Sequence, residues 1–246
     1  MDEKEGYIIV TPGTLVSMSE KSGEGTFVFN GKTHSKYLGI KKEGYRINVA
    51  PFKQVYKPKN RDKVIGQIEK FNYPFFIVDI HAPLPAFLYL SDTSKYAVTD
   101  QEKLMRTYKP GTWILAEIGE ITDKVKLSMK YYETKVLTSG MTAYITPAKV
   151  PRVIGKAGSM IKMIHDKTGC NIKIGQNGVI WIEGGKIDLV IKVIQKIDDE
   201  AHIPGLTSRV EEFISEELKK YGDKPKTELP KEEGDKPKEN SPKEKN

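Results

Sequence analysis

The chain has 246 residues, 38% hydrophobic and 30% charged, and its 40 Lys and Arg outnumber 33 Asp and Glu to leave a formal charge of +7. An apolar share this low, spread over this length, suits several small domains better than one large core. No apolar run approaches the ~18 residues of a membrane-spanning helix, the start Met1-Asp2-Glu3-Lys4-Glu5 lacks the hydrophobic region of an export signal, and lone Cys170 allows neither an internal disulfide nor a cysteine-rich zinc ribbon, so a reducing cytoplasm is the expected compartment.

Residues 1–58 are predicted to form a small β domain of three or four strands. Gly25-Thr26-Phe27-Val28-Phe29 leads into Asn30-Gly31, the strongest short hairpin signal, and a polar return strand follows. Arg46-Ile47-Asn48-Val49 is a further strand, ended by Pro51.

Residues 59–135 give a five-strand pattern: Val64–Phe71, Phe75–Ile80, Ala86–Leu90, Thr112–Ile118 and Lys124–Met129. A short helix over Asp100–Tyr108, with Thr99 and Glu102 as a capping box, separates the third strand from the fourth. Five short strands with one helix at that point predict an OB-fold barrel.

The period changes in residues 136–205. Thr142–Thr146 is a strand, Val150–Ile154 a helix, and Ser159–Thr168 another helix after a tight turn. Asn171–Gly175 and Val179–Glu183 flank a hairpin at Asn177-Gly178, and Ile187–Ile197 is a third helix. Residues 206–221 form a C-terminal helix with Ser208 and Glu211 as a capping box and one stripe of Val210, Phe213, Ile214, Leu218 and Tyr221. Residues 222–246 repeat Gly-Asp-Lys-Pro-Lys and offer only Leu229 to a core, so a disordered charged tail is expected. From residue 206 on, 10 basic residues face 11 acidic ones, so the positive excess belongs to the first 205 residues.

The sharpest chemical signal is Val153-Ile154-Gly155-Lys156-Ala157-Gly158-Ser159-Met160-Ile161. Two glycines three apart leave the backbone bare between helices, and the amides opening the second helix present a positive dipole end to a phosphate. Arg152, Lys156, Lys162, Lys167 and Lys173 surround the turn, while Ile154, Ile161 and Ile172 can floor a groove for unstacked bases. This is the layout of a KH domain, whose Gly-x-x-Gly loop grips about four nucleotides. The competing reading, a plain helical turn among solvated lysines, does not account for the hairpin and helix downstream.

On the barrel, alternation sends Phe76, Val78 and Ile80 to the core and Phe75 and Ile77 outward; Phe87 and Tyr89 share the outward face of the next strand. These four can form a platform on which bases stack for ~1–3 kcal/mol each. The rival expectation is that this face packs against a neighbouring domain.

Other patterns carry no chemistry. Asp199-Glu200-Ala201-His202 spells a helicase box but ends a helix, and Gly31-Lys32-Thr33 lies in a hairpin with its upstream glycine misplaced. His34, His81, His165 and His202 are scattered singly without metal-ligand spacing, so no metal and no cofactor is expected.

The order of parts resembles the RNA-binding cap subunit of the archaeal-type exosome, the ribosomal-RNA-processing protein four family. The resemblance rests on Val10-Thr11-Pro12-Gly13, Gly23-Glu24-Gly25-Thr26-Phe27, Asp62-Lys63-Val64-Ile65-Gly66-Gln67-Ile68 and the Gly155–Gly158 turn, and covers roughly residues 6–220. The barrel is similar to the RNA-binding repeat of the largest small-subunit ribosomal protein, down to Val125-Lys126-Leu127-Ser128-Met129-Lys130. The resemblance implies a non-catalytic subunit, three copies of which sit on a hexameric ring of phosphorolytic subunits. The amino-terminal domain docks on the ring, and single-stranded RNA is fed inward from its 3′ end. It carries Ile77, Tyr89 and Lys124 over as RNA-facing residues, Ile77 and Tyr89 replacing the Phe and His common there. The other cap subunit of such assemblies is a further expected partner. The alternative is a ribosome- or translation-associated RNA-binding factor, because OB and KH modules occur there too.

Overall fold

A computed structural model describes residues 8–94 and 101–222. The tail beyond Gly222 and Thr99 of the expected capping box lie outside the described residues. The fold is mixed α/β: a small β domain, an OB-type barrel and a KH domain.

The amino-terminal domain is built from β1 (Ile8–Val10), β2 (Leu15–Ser17), β3 (Thr26–Phe29), β4 (Lys32–Ser35), β5 (Gly39–Lys42) and β6 (Asn48–Pro51). They form two antiparallel three-stranded sheets, ordered β1-β5-β6 and β2-β4-β3. Three or four strands were expected; the surplus strands are only three or four residues long, too short for alternation to show. Asn30 and Gly31 turn the β3–β4 hairpin with φ of 49° and 70°, the left-handed pair a two-residue turn requires. Among the described residues its buried apolar cluster is only Val10, Val16, Ile47 and Val49. Hydroxyls fill the rest: buried Thr33 donates to the Ser19 carbonyl at 2.6 Å and Ser35 to that of Tyr37 at 2.7 Å.

The barrel uses all five predicted strands: β7 (Lys63–Asn72), β8 (Phe75–Asp79), β9 (Ala86–Tyr89), and, after α1 (Gln101–Thr107), β10 (Trp113–Ile121) and β11 (Val125–Ser128). β11 pairs in parallel with β9 and antiparallel with β10, which closes the sheet β11-β9-β8-β7-β10 on itself. Phe76, Val78, Ile80 and Leu88 fill the interior as alternation dictates. A short sixth strand, β12 (Lys135–Leu137), adds to the outside of β10.

The KH domain follows as β13 (Gly140–Tyr144), α2 (Val150–Ile154), α3 (Ser159–Thr168), β14 (Asn171–Ile174), β15 (Val179–Glu183) and α4 (Ile187–Glu200), with antiparallel sheet order β13-β15-β14. The last helix, α5 (Leu206–Gly222), completes this domain: Leu206, Val210 and Ile214 join its buried core. Because Leu206 is drawn into that core, the helix starts two residues before Ser208, and the expected capping box lies inside it. Arg209 meets Glu200 at 2.7 Å and fastens the turn from α4 to α5.

Barrel and KH domain share a welded junction. Ile65, Leu115 and Leu137 pack with Val179 and Trp181, and the Trp113 and Trp181 rings lie 6.2 Å apart. At its centre the buried Asn177 side chain accepts from the Ile65 amide at 3.2 Å and donates to the carbonyls of Ile65 (2.8 Å) and Ile80 (2.9 Å). The Gln176 amide adds a bond to the Lys63 carbonyl at 2.7 Å.

Candidate nucleic-acid interface

The Gly155–Gly158 turn joins α2 to α3. Gly155 has φ 75° and ψ 173°, Ala157 φ 52° and Gly158 φ 78°, so the chain reverses through three left-side conformations in four residues. A Cβ on Gly155 would fall 2.6 Å from the Met160 amide nitrogen, whereas one on Gly158 would meet nothing closer than 4.0 Å. No side chain caps the start of α3. The Gly158 and Ser159 amides bond back to the Gly155 and Lys156 carbonyls, so what the start of α3 offers an anion is chiefly its positive dipole end.

Arg152, Lys156 and Lys162 are exposed beside the turn and have no hydrogen-bond or ion-pair partner among the described residues. Lys167 does not belong with them: it is engaged by Glu211 at 3.1 Å and Ser215 at 3.3 Å on α5. Ile154 and Ile161 are half-buried against the core and present an apolar flank next to the cations, while Ile172 is drawn inward to 8% exposure. The turn thus combines bare backbone, free cations and apolar surface within one short stretch.

On the barrel, Phe75, Ile77, Phe87 and Tyr89 lie together on the outer face of β8 and β9, all half-buried. Register pairs Phe75 with Tyr89 and Ile77 with Phe87. The Phe75 ring stands edge-on to Phe87 at 4.9 Å and to Tyr89 at 5.5 Å. Lys124 Nζ sits 5.3 Å from the Phe87 centroid, and Lys126 Nζ 5.6 Å from that of Tyr89. An open cavity of about 240 Å³ lies between these rings, the two lysines and the Glu120–Asp123 loop. On the other border Lys70 is paired with Ile77 across β7. The KH domain packs on Ile65, Leu115 and Leu137 instead, so this face is not the domain junction.

Lys126, Lys130 and Asp92 were not singled out from sequence. Asp92 receives Lys130 at 2.7 Å and lies 3.4 Å from Lys126, holding both at the edge of the platform. Burial alone would raise the Asp92 carboxyl, but the hydrogen bond from Lys130 and the charge of Lys126 outweigh it and keep it below the ordinary range. Alternation along β11, which puts Lys124 and Lys126 on one face, was the signal that could have found Lys126; Asp92 had none, because a 3₁₀ turn follows β9.

A stacking platform bordered by lysines and a phosphate-sized bare turn, held on one chain by a fixed junction, define an RNA-binding protein. Residues 142–199 match the KH domain family. The chain is 40% identical over 216 residues to the exosome complex component Rrp4 of Methanothermus fervidus, covering 86% of this chain and 96% of that one. It is 34% identical to the Rrp4 of Methanosarcina barkeri, covering 94% and 93%. A crystal structure assigned to an exosome complex RNA-binding protein, 33% identical, superposes with a TM-score of 0.61 over 68% of this chain and 99% of its own. The chain belongs to the archaeal Rrp4 family of exosome complex components.

Proposed function

We propose that this chain is a non-catalytic cap of an exosome: it captures single-stranded RNA and delivers the 3′ end to a ring of phosphorolytic subunits. The observation that carries this reading is the coexistence of two RNA-compatible surfaces on one barrel–KH unit with a packed junction. On the KH side the contacts are Arg152, Ile154, Gly155, Lys156, Ala157, Gly158, Ile161 and Lys162; on the barrel they are Phe75, Ile77, Phe87, Tyr89 and Lys124, joined by Lys126. Two weak sites on one chain raise affinity for a strand long enough to reach both.

The amino-terminal domain is the docking module. Leu15, His34 and Phe27 form one cross-strand row, Phe29 lies beside it at 60% exposure, and the His34 ring stacks on Phe27 at 5.7 Å. So much exposed apolar surface on a domain with so small a core fits a partner protein. Three caps per hexameric ring, alone or mixed with the other cap subunit, is the assembly this implies. The cytoplasm is the compartment this reading implies; among the described residues no helix is long and apolar enough to cross a membrane.

Affinity capture of the full chain followed by mass measurement of the intact complex tests the assignment. Recovery of a phosphorolytic ring is the expected result; recovery of ribosomal subunits would favour the translation-factor reading instead. The purified chain with labelled RNA, phosphate and Mg²⁺ is expected to leave the RNA at full length, and shortening would overturn the non-catalytic role.

A further inference from the structure

The junction between the amino-terminal and KH domains holds a basic seam that joins Arg152 of the KH face to residues of the first domain. A cavity of about 90 Å³ opens there, several times the room one water needs, walled by Ile40, Lys42 and Phe52 from the first domain and Lys149, Arg152 and His202 from the KH domain. Phe52 meets the His202 ring edge-on at 5.6 Å and joins the two walls. Lys149 is neutralised by Asp198 at 3.2 Å. Lys42 and Arg152 are not: both are exposed, and neither has a carboxylate partner among the described residues. Two unpaired cations from separate domains thus line one small cavity whose remaining wall is apolar except for the neutralised Lys149 and His202. Like charges so placed repel one another, and the apolar wall weakens solvent screening, so an anion between them is favoured.

Arg152 also fixes what the anion belongs to. It sits on α2 three residues before Gly155, so the seam opens next to the turn that grips RNA in the reading above. We propose that the seam binds one phosphodiester of single-stranded RNA between Lys42 and Arg152, extending the KH footprint toward the amino-terminal domain. The inference rests on the RNA-binding assignment of the KH turn. It differs from that assignment in giving the first domain a direct hand in holding RNA.

The test titrates the full chain with labelled oligouridylate of two lengths, about four nucleotides, which the turn alone can hold, and about twelve. Lys42→Ala is expected to weaken the longer strand three- to ten-fold and to lower the slope of log affinity against log salt by about 0.7, the loss of one phosphate contact. The four-nucleotide strand should be unaffected, and Lys42→Arg should restore the longer one. Lys32→Ala, which removes the same charge from the other sheet of the same domain, should change neither. Equal losses in Lys42→Ala and Lys32→Ala would mean long-range attraction only and overturn the seam, as would unchanged long-strand binding in Lys42→Ala. Inorganic phosphate that perturbs the Lys42 resonances while RNA affinity ignores Lys42→Ala would assign the seam to free anions, also against the proposal. If Gly158→Asp abolishes binding and Lys42→Ala does nothing, the seam falls and the KH reading stands; if the unaltered chain binds neither strand, both fall.

Discussion

The barrel has two apolar flanks with opposite fates. On one, Ile65, Trp113, Leu115 and Leu137 are covered by Val179 and Trp181 of the KH domain; on the other, Phe75, Ile77, Phe87 and Tyr89 remain half-buried. Aromatic content does not separate them. What differs is the polar complement. The covered flank has Asn177 to satisfy the backbone it buries, and its rim charges are paired, Lys63 with Glu133 and Lys135 with Glu183 at 3.8 Å. The open flank is bordered by Lys70, Lys124 and Lys126; Glu120 and Asp123 line the same cavity, but among the described residues only Lys126 is ion-paired, with Asp92. An apolar patch whose rim charges are paired is a junction; one whose rim cations are unpaired suits an anion.

The strongest way to break this comparison is to remove the polar complement of the covered flank. Asn177→Ala leaves the Ile65 amide and two carbonyls without partners at a buried junction, a loss of about 3 kcal/mol. For a chain of this size that lowers the melting midpoint by roughly 6–12 °C, readable by calorimetry. An unchanged midpoint would mean that apolar packing alone holds the domains together.

The open flank should respond the other way. Phe87→Ala combined with Tyr89→Ala removes two stacking surfaces worth ~1–3 kcal/mol each, so RNA affinity should drop at least tenfold, with a smaller change in melting than Asn177→Ala causes. Trp181→Ala on the covered flank should do the reverse. If Trp181→Ala cost affinity and the platform pair cost only stability, the roles assigned to the two flanks would be exchanged.

At the KH turn Gly158→Asp is the sharper probe, expected to weaken RNA about tenfold with only a small fall in melting temperature. Aspartate tolerates the left-handed backbone, and the space around Gly158 is open to 4.0 Å. Gly155→Asp cannot serve, because its Cβ would strike Met160 and confuse misfolding with lost binding.

How much of this was legible in the sequence depended on which physical signal each part leaves. The barrel strands and KH elements were readable because alternation and helical stripes run for several residues, as in Phe76, Val78 and Ile80. The Gly155–Gly158 turn was readable because its backbone demands glycine at fixed spacing. The extra amino-terminal strands were not, because Ile8–Val10, Leu15–Ser17 and Gly39–Lys42 are only three or four residues long, too short for a face to repeat. Asn177 announced only its local job, a hairpin turn with Gly178; its bonds to Ile65 and Ile80 span about a hundred residues, and no local pattern encodes such a partner. The Lys42–Arg152 seam was hidden for the same reason, since it exists only once two domains meet.

The α4–α5 junction asks whether the rule of matched rim charges holds beyond the barrel. Glu217 on α5, its side chain 10% exposed, accepts from Lys192 at 2.8 Å and from Lys220 at 2.7 Å. Those two hydrogen bonds, reinforced by the lysine charges, pull its carboxyl from the ordinary 4.5 down to about 2. Because the folded value lies below the unfolded one, the contribution is fully present above about pH 4.5 and is lost as pH falls toward 2. Glu217→Gln should therefore melt slightly lower at neutral pH and approach the unaltered chain as the solution is acidified, whereas other carboxylates shift both proteins alike. Melting curves that stay parallel across that window would show that α5 is held by Val210 and Ile214 alone, and that paired charge at a closed junction is incidental.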